Sequence, residues 1–216
     1  IDLIRKTLSR SAFGATWPLV TKSDGTKFGK TADGAVWLDP SRTSPYQFRQ
    51  FWMQMADADV VKYLPQYSLA SLDETNALIA EHTGDPGKRV AQRVLAQEMT
   101  ALVHGTAAAA DAAAAADILF GGDPTTASLE ALLIVAGEVP TTDVGRQELD
   151  DTFGLLARAQ VVSSTSEARR TIDQKGLRVN GSVLDKDETL ASKGLLHGRY
   201  VLVRKGKTGY HLFRVS

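Results

Sequence analysis

The sequence predicts an α+β chain, mostly helical, that finishes in a small α+β module. Three observations carry this. From about residue 41 to 135, apolar residues recur at helical spacing and are punctuated by caps and helix stops. Residues 150–216 change habit: a capped helix is followed by short alternating runs and an Asn-Gly turn. Residues 1–40 hold too little apolar material for a domain of their own and read as the tail end of a larger one. Between the two folded parts, 136–149 reads as a linker.

Composition narrows the class. At 216 residues, 43% hydrophobic and 23% charged, the chain has the balance of a soluble globular protein. No apolar run approaches the length of a membrane span. The start, Ile1-Asp2-Leu3-Ile4, lacks the pattern of a signal peptide and an initiator Met, so the expectation is a chain that begins inside a longer protein. There is no cysteine, which excludes disulfides and thiolate metal sites and is compatible with a cytoplasmic protein. The net charge of zero hides a split of +2 over residues 1–40, −9 over 41–155 and +7 over 156–216. A basic end behind an acidic middle suggests that the end meets a polyanion.

In chain order, Asp2–Leu8 reads as a short helix and Ala15–Val20 as an extended segment. Thr21–Thr31 follows as a loop rich in glycine and hydroxyls, with Asp24-Gly25 as its turn signal, and is expected to be exposed and mobile. Ala35–Leu38 is a short apolar run that Asp39-Pro40 ends. Ser44 caps a helix with Pro45 in its first position, and Phe48, Phe51, Trp52 and Met55 form its apolar, core-facing stripe. Asp57-Ala58-Asp59 opens a second helix, and spacing alone assigns both carboxylates to capping and to the helix dipole. Ser71–His82 is a third, stopped by Gly84-Asp85-Pro86-Gly87. Pro86–His104 reads as one long helix on which Lys88, Arg89 and Arg93 are either solvated or RNA-facing, the solvated face being the default. Thr106–Phe120 is alanine-rich and therefore helical. Ser128 begins a short helix through Val135. Gly137–Gln147 is the most linker-like stretch and predicts a C-terminal module free to swing.

In that module, Asp150-Asp151 opens a helix. Ser164-Thr165-Ser166-Glu167 is a capping box for the next, which carries Arg169, Arg170 and Lys175 and ends at Gly176. Leu177-Arg178-Val179 alternates as a strand into Asn180-Gly181. Tyr200–Arg204 and Tyr210–Val215 pair around Gly206–Gly209. Arginine forks on a helix beside a basic hairpin suit RNA phosphates, and a solvated basic surface explains the charge equally well.

The loop at 21–31 is the most specific chemical signal. Lys27 and Lys30 stand three apart, and Gly29 permits close backbone approach. Two ammonium groups with the Thr31 hydroxyl suit a phosphate chain whose charge grows during reaction. Taken alone, such a loop is more often a solvated turn, and its spacing is not that of a Walker P-loop, which rules out a phosphate-loop NTPase. Its company decides. Lys27-Phe28-Gly29-Lys30-Thr31, then Gly34–Pro40, then Thr43-Ser44-Pro45-Tyr46, closely resembles bacterial tyrosyl-tRNA synthetases, whose signature loop is written KMSKS. The segment Ser164–Leu184 resembles the S-four-like RNA-binding domain that ends the same enzymes. His82-Thr83-Gly84-Asp85 is only superficially like the HIGH motif of that class and stands in the wrong place, so His82 reads as an ordinary residue of a helix's last turn.

The resemblance implies the end of a Rossmann-like catalytic domain over 1–40, a helical anticodon-binding domain over 41–135 and an S-four-like domain over 150–216. It implies that Lys27, Phe28, Gly29, Lys30 and Thr31 meet the phosphates of ATP, with Mg2+ accompanying the ATP, and that Lys27 and Lys30 are catalytic. It places Asp57 against the first anticodon base and Arg169, Arg170, Lys175 and Arg178 on the RNA face. Expected partners are tRNA-Tyr, with tyrosine and ATP in the full-length enzyme, and a second copy through the N-terminal half; no membrane or resident metal is expected. The tyrosine pocket lies upstream of Ile1, so these residues alone are predicted not to activate tyrosine. The alternative is a non-enzymatic RNA-binding module derived from a synthetase.

Overall fold

The computed structural model describes residues 1–16, 18–28 and 36–216. It opens with α1 (Asp2–Leu8), none of whose residues is buried. Extended backbone leads to a tight hairpin in which Thr21 bridges Lys27, Lys22 N donates to Thr26 O at 2.8 Å and Phe28 N donates to Val20 O at 3.1 Å.

The helical block follows. Ser44 accepts from Gln47 N to cap α2 (Pro45–Met53), with Pro45 at its start. Next come α3 (Asp57–Tyr67) and α4 (Leu72–Gly84), the latter begun by a Ser71/Glu74 capping box. The helix expected over Pro86–His104 is divided: Pro86–Lys88 make a single 3-10 turn, Arg89 takes φ 53°, and α5 runs Val90–His104. The break lets the Arg89 guanidinium donate to Met53 O and Met55 O, at 2.5 and 3.2 Å, satisfying carbonyls that the end of α2 leaves open. Arg89 is therefore committed to the protein's own backbone rather than to solvent or RNA. Phe48, Trp52, Tyr63, Leu64, Leu95 and Met99 form the core of this part. In α6 (Thr106–Leu119), Ala109, Ala112, Ala115 and Ala116 are buried, and the small side chains let neighbouring helices approach closely. Then α7 (Leu129–Glu138) extends past Val135, started by Ser128, whose hydroxyl accepts from Ala131 N.

The stretch 136–149, expected to be a linker, is structured. Past the end of α7 it forms β1 (Thr141–Val144) and most of a 3-10 turn, Arg146–Asp150. Two short helices, α8 (Thr152–Arg158) and α9 (Thr165–Asp173), precede β2 (Leu177–Val179), β3 (Ser182–Val183), β4 (Tyr200–Lys205) and β5 (Gly209–Val215). The sheet order is β1-β5-β4-β2-β3, with β1 parallel to β5 and the other pairs antiparallel. Asn180 and Gly181 turn β2 into β3 at φ 47° and 86°, the left-handed geometry that an Asn-Gly pair supplies.

Both faces of the sheet are covered. Val201, Val203, Phe213 and Val215 pack with α8 and α9 residues such as Leu156 and Ile172. Tyr200, Leu202 and Leu212 pack on the opposite side with Ala116, Leu132 and Val135 of α6 and α7. Polar contacts fasten the same seam: Tyr210 OH donates to Ile118 O at 2.8 Å, and a ring nitrogen of His197 lies 2.8 Å from Ala127 O. The C-terminal module is thus docked on the helical block through a shared core, not swinging from it. No helix among the described residues is long and apolar enough to cross a membrane.

Candidate functional site

Around the signature loop, the hairpin 20–28 is held to the helical block at three points. The Phe28 ring lies 4.7 Å from Tyr63, 5.6 Å from Tyr67, 5.7 Å from Phe51 and 5.8 Å from Trp52, centroid to centroid. Ser23 N donates to Asp59 Oδ1 at 2.5 Å. Lys62 Nζ donates to Thr21 O and, at 3.2 Å, to Thr21 Oγ1. Within the turn, Thr26 donates to Asp24 Oδ1 through its hydroxyl and its N–H, and these bonds hold the Asp24 carboxyl below its ordinary range. Lys27 is left exposed at the hairpin's rim. The loop expected to be mobile is therefore anchored up to Phe28, whose ring is turned into the protein. Gly29, Lys30 and Thr31 lie outside the described residues.

The first turn of α3 reads differently from its sequence. Its N-cap is Ala56, which has no side-chain capping bond. Asp57 instead accepts from Gln92 Nε2 at 2.7 Å, and His82 Nε2 lies 3.2 Å from the same oxygen. Asp57 remains half exposed at 55%, whereas His82 is 1% exposed. His82 does sit in the last turn of α4, but it is a buried prop behind Asp57. Asp59 is buried and directed at the hairpin. Neither carboxylate caps its own helix, though both still face the positive end of its dipole. Sequence reasoning missed Asp59 and Lys62. The available signal was the Asp-x-Asp pair, since a single N-terminus has little use for two competing caps.

In the C-terminal module, Arg169, Arg170, Lys175 and Arg178 are all exposed and follow one another through α9, its closing turn and β2. Lys175 is not on the helix: it takes φ 55°, and Gly176 N donates to Thr171 O at 2.8 Å, a Schellman-type closure. The Arg169 guanidinium lies over the Phe153 ring at 5.1 Å, and Arg178 donates to Gly181 O at 3.0 Å. The capping box is also displaced by one residue. Ser164 accepts from Glu167 N, but Glu167 returns to Ser163 N and Oγ, at 2.7 and 2.6 Å, with its other oxygen on Lys205 at 2.7 Å. Lys205 is thereby paired, while the four cations named above face outward. Asp57 stands apart from them on α3. Among the described residues no group of three or more His, Cys, Asp or Glu is placed to hold a metal ion.

Comparison with known proteins places the chain in a family. Residues 1–121 match the family model of tRNA synthetases class I (W and Y), and residues 132–213 match the tyrosine–tRNA ligase SYY-like C-terminal domain. The chain is 44% identical over 99% of its length to the tyrosine–tRNA ligase of Anaeromyxobacter dehalogenans strain 2CP-C, of which it covers 52%. It is 43% identical over its whole length to the tyrosine–tRNA ligase of Roseiflexus castenholzii, again covering 52%. A C-terminally truncated Coccidioides posadasii mitochondrial tyrosyl-tRNA synthetase is similar at 41% identity, with 45% of this chain and 25% of that one covered and a TM-score of 0.39. The chain spans about half the length of the curated relatives it matches. With the family model matching more than half of its length, the chain belongs to the class I tRNA synthetases of the tryptophan and tyrosine group.

Proposed function

We propose that the chain is the C-terminal half of a tyrosine–tRNA ligase and carries the phosphate loop and the tRNA-binding parts of that enzyme. The observation that carries this reading is the identity of 44% spread over 99% of the chain, because it includes the lysine loop as well as both RNA-binding parts. A stand-alone RNA-binding module has no use for such a loop. Residues 1–40 then end the nucleotide-binding catalytic domain, 41–135 form the anticodon-binding domain and 150–216 form the S-four-like domain.

In this mechanism the tyrosine carboxylate attacks the α-phosphorus of ATP and displaces pyrophosphate, and a hydroxyl at the tRNA 3′ end then takes the tyrosyl group as AMP leaves. Lys27, together with Lys30, steadies the charge that builds on the departing pyrophosphate, and Thr31 assists through its hydroxyl. Fixed cations aimed at developing charge act as oxyanion-hole donors do, and removing one such donor elsewhere costs about 2.7–4 kcal/mol. Phe28 serves by anchoring, its ring set among Phe51, Trp52, Tyr63 and Tyr67. Mg2+ arrives with those phosphates as part of the substrate. Asp57, propped by Gln92 and His82, contacts the first anticodon base, and Arg169, Arg170, Lys175 and Arg178 meet phosphates. The full-length enzyme works in the cytoplasm as a homodimer formed through its N-terminal half.

The test is binding of this chain to tRNA-Tyr and to a non-cognate tRNA across a salt series. The expected result is a preference for tRNA-Tyr that survives rising salt, with a slope that falls by roughly 0.7–0.9 for each arginine neutralised among Arg169 and Arg170. Equal, salt-fragile binding of both RNAs would remove the claim that these parts recognise their substrate. Tyrosine-dependent ATP–pyrophosphate exchange by the chain alone would contradict its assignment as an incomplete active site.

A further inference from the structure

The first turn of α3 carries two carboxylates with separate duties. Asp57 points outward, and Asp59 spans 36 residues of sequence to hold Ser23 N. Asp59 is 6% exposed, and a carboxylate buried to that degree is costly unless its lone pairs are occupied. Its own helix has no side-chain cap, so the oxygen that could have capped α3 is committed to the hairpin instead. One helical turn later Lys62 grips the carbonyl of Thr21, the residue that bridges Lys27 across the hairpin. Helix α3 thus holds both the tip and one strand of the hairpin, while Phe28 pins its far end into the aromatic cluster.

We propose that Asp59 is a positioning residue for phosphate chemistry: with Lys62 it sets where the hairpin presents Lys27. The inference rests on the phosphate role given above to Lys27. The two bonds are a charge-assisted acceptor and a charge-assisted donor, the stronger kind of hydrogen bond, and both act on backbone groups of the hairpin. Loosening them leaves Lys27 chemically intact but spreads its ammonium over many positions. That loss falls on the transition state, where a displacement of about 1 Å can cost roughly a hundredfold in rate.

The experiment uses the full-length enzyme with four substitutions: Asp59→Ala, Asp59→Asn, Lys62→Met and Lys27→Ala. Tyrosine-dependent ATP–pyrophosphate exchange is measured with KM for tyrosine, affinity for tRNA-Tyr and the thermal midpoint. Asp59→Ala is expected to lower kcat of exchange about ten- to a hundredfold, with KM for tyrosine and tRNA affinity unchanged. Asp59→Asn keeps an oxygen that can accept from Ser23 N, and is expected to restore most of the rate. Lys62→Met, an exposed change that leaves the core alone, is expected to lower kcat in the same direction by a smaller factor. The proposal is overturned if Lys27→Ala abolishes exchange while Asp59→Ala and Lys62→Met run at the parent rate. It is equally overturned if the Asp59→Ala loss follows the thermal midpoint and raises KM for tyrosine together with it. Parent-rate exchange by Lys27→Ala would instead strike the phosphate role of the loop itself, and this inference with it.

Discussion

Glu167 shows how much one side chain can fasten. Its carboxylate joins the start of α9 to β4, and its pKa is lowered from the ordinary 4.5 to about 2, first by the Lys205 hydrogen bond and then by the hydroxyl and N–H of Ser163. A folded-state pKa below the unfolded one means that the unfolded chain takes up the proton first. The stabilisation is complete above pH 4.5 and is lost as the pH falls toward 2. Glu167→Gln should therefore lower the thermal midpoint near neutral pH, and the gap from the parent should close as the buffer is taken down to about pH 3. A gap that stays constant with pH would mean that charge plays no part in this contact. The capping box was legible in the sequence, but its offset was not, because a glutamate reaches one residue further back at no cost when a serine waits there. Asp59 was hidden for a related reason: an acid at a helix start already has an ordinary explanation.

Among the elements, the cap at Ser44 and the Asn180-Gly181 turn could be read directly, since each depends on residues within four positions. Strand β1 could not. Thr-Thr-Asp-Val buries only Val144, shows no apolar alternation, and finds its partner in β5 far along the chain. What secures it includes His211, buried on β5, with a ring nitrogen 2.9 Å from Thr142 Oγ1. Burial holds His211 below the ordinary histidine value of 6.5, so the neutral ring belongs to the fold. Protonation favours the unfolded form, and this contribution is present above pH 6.5 and is lost as the pH falls through the folded-state value. Amide exchange at Thr141–Val144, corrected for its intrinsic pH dependence, should show protection weakening as the pH falls below 6.5 in the parent. In His211→Gln that acid-dependent loss should be absent; the same acid profile in both proteins would assign it to another group.

Across the whole molecule, the two parts that composition separates are joined through a buried cluster that draws on both. The Gly137–Gln147 stretch pointed to a hinge. The contrary sign was the unbroken apolar run Tyr200–Val203, which only a strand covered on both faces requires. Leu202→Ala should cost about 2–5 kcal/mol, as a buried leucine does. All three tryptophans lie within residues 17–52, so their fluorescence reports the early part of the chain alone. With a shared core the Leu202→Ala loss should appear in that fluorescence transition, whereas an unmoved transition would mean that the parts unfold independently. The same topology orders events during synthesis. β5 emerges after each of its neighbours, yet it lies between β1 and β4. Until it is made, both strands present unpaired backbone to the cell, and the apolar sides of α7 and α8 wait with them. The nascent chain therefore carries its greatest risk of adhering to other chains late, and a chaperone that masks exposed strands would matter most just before that final pairing.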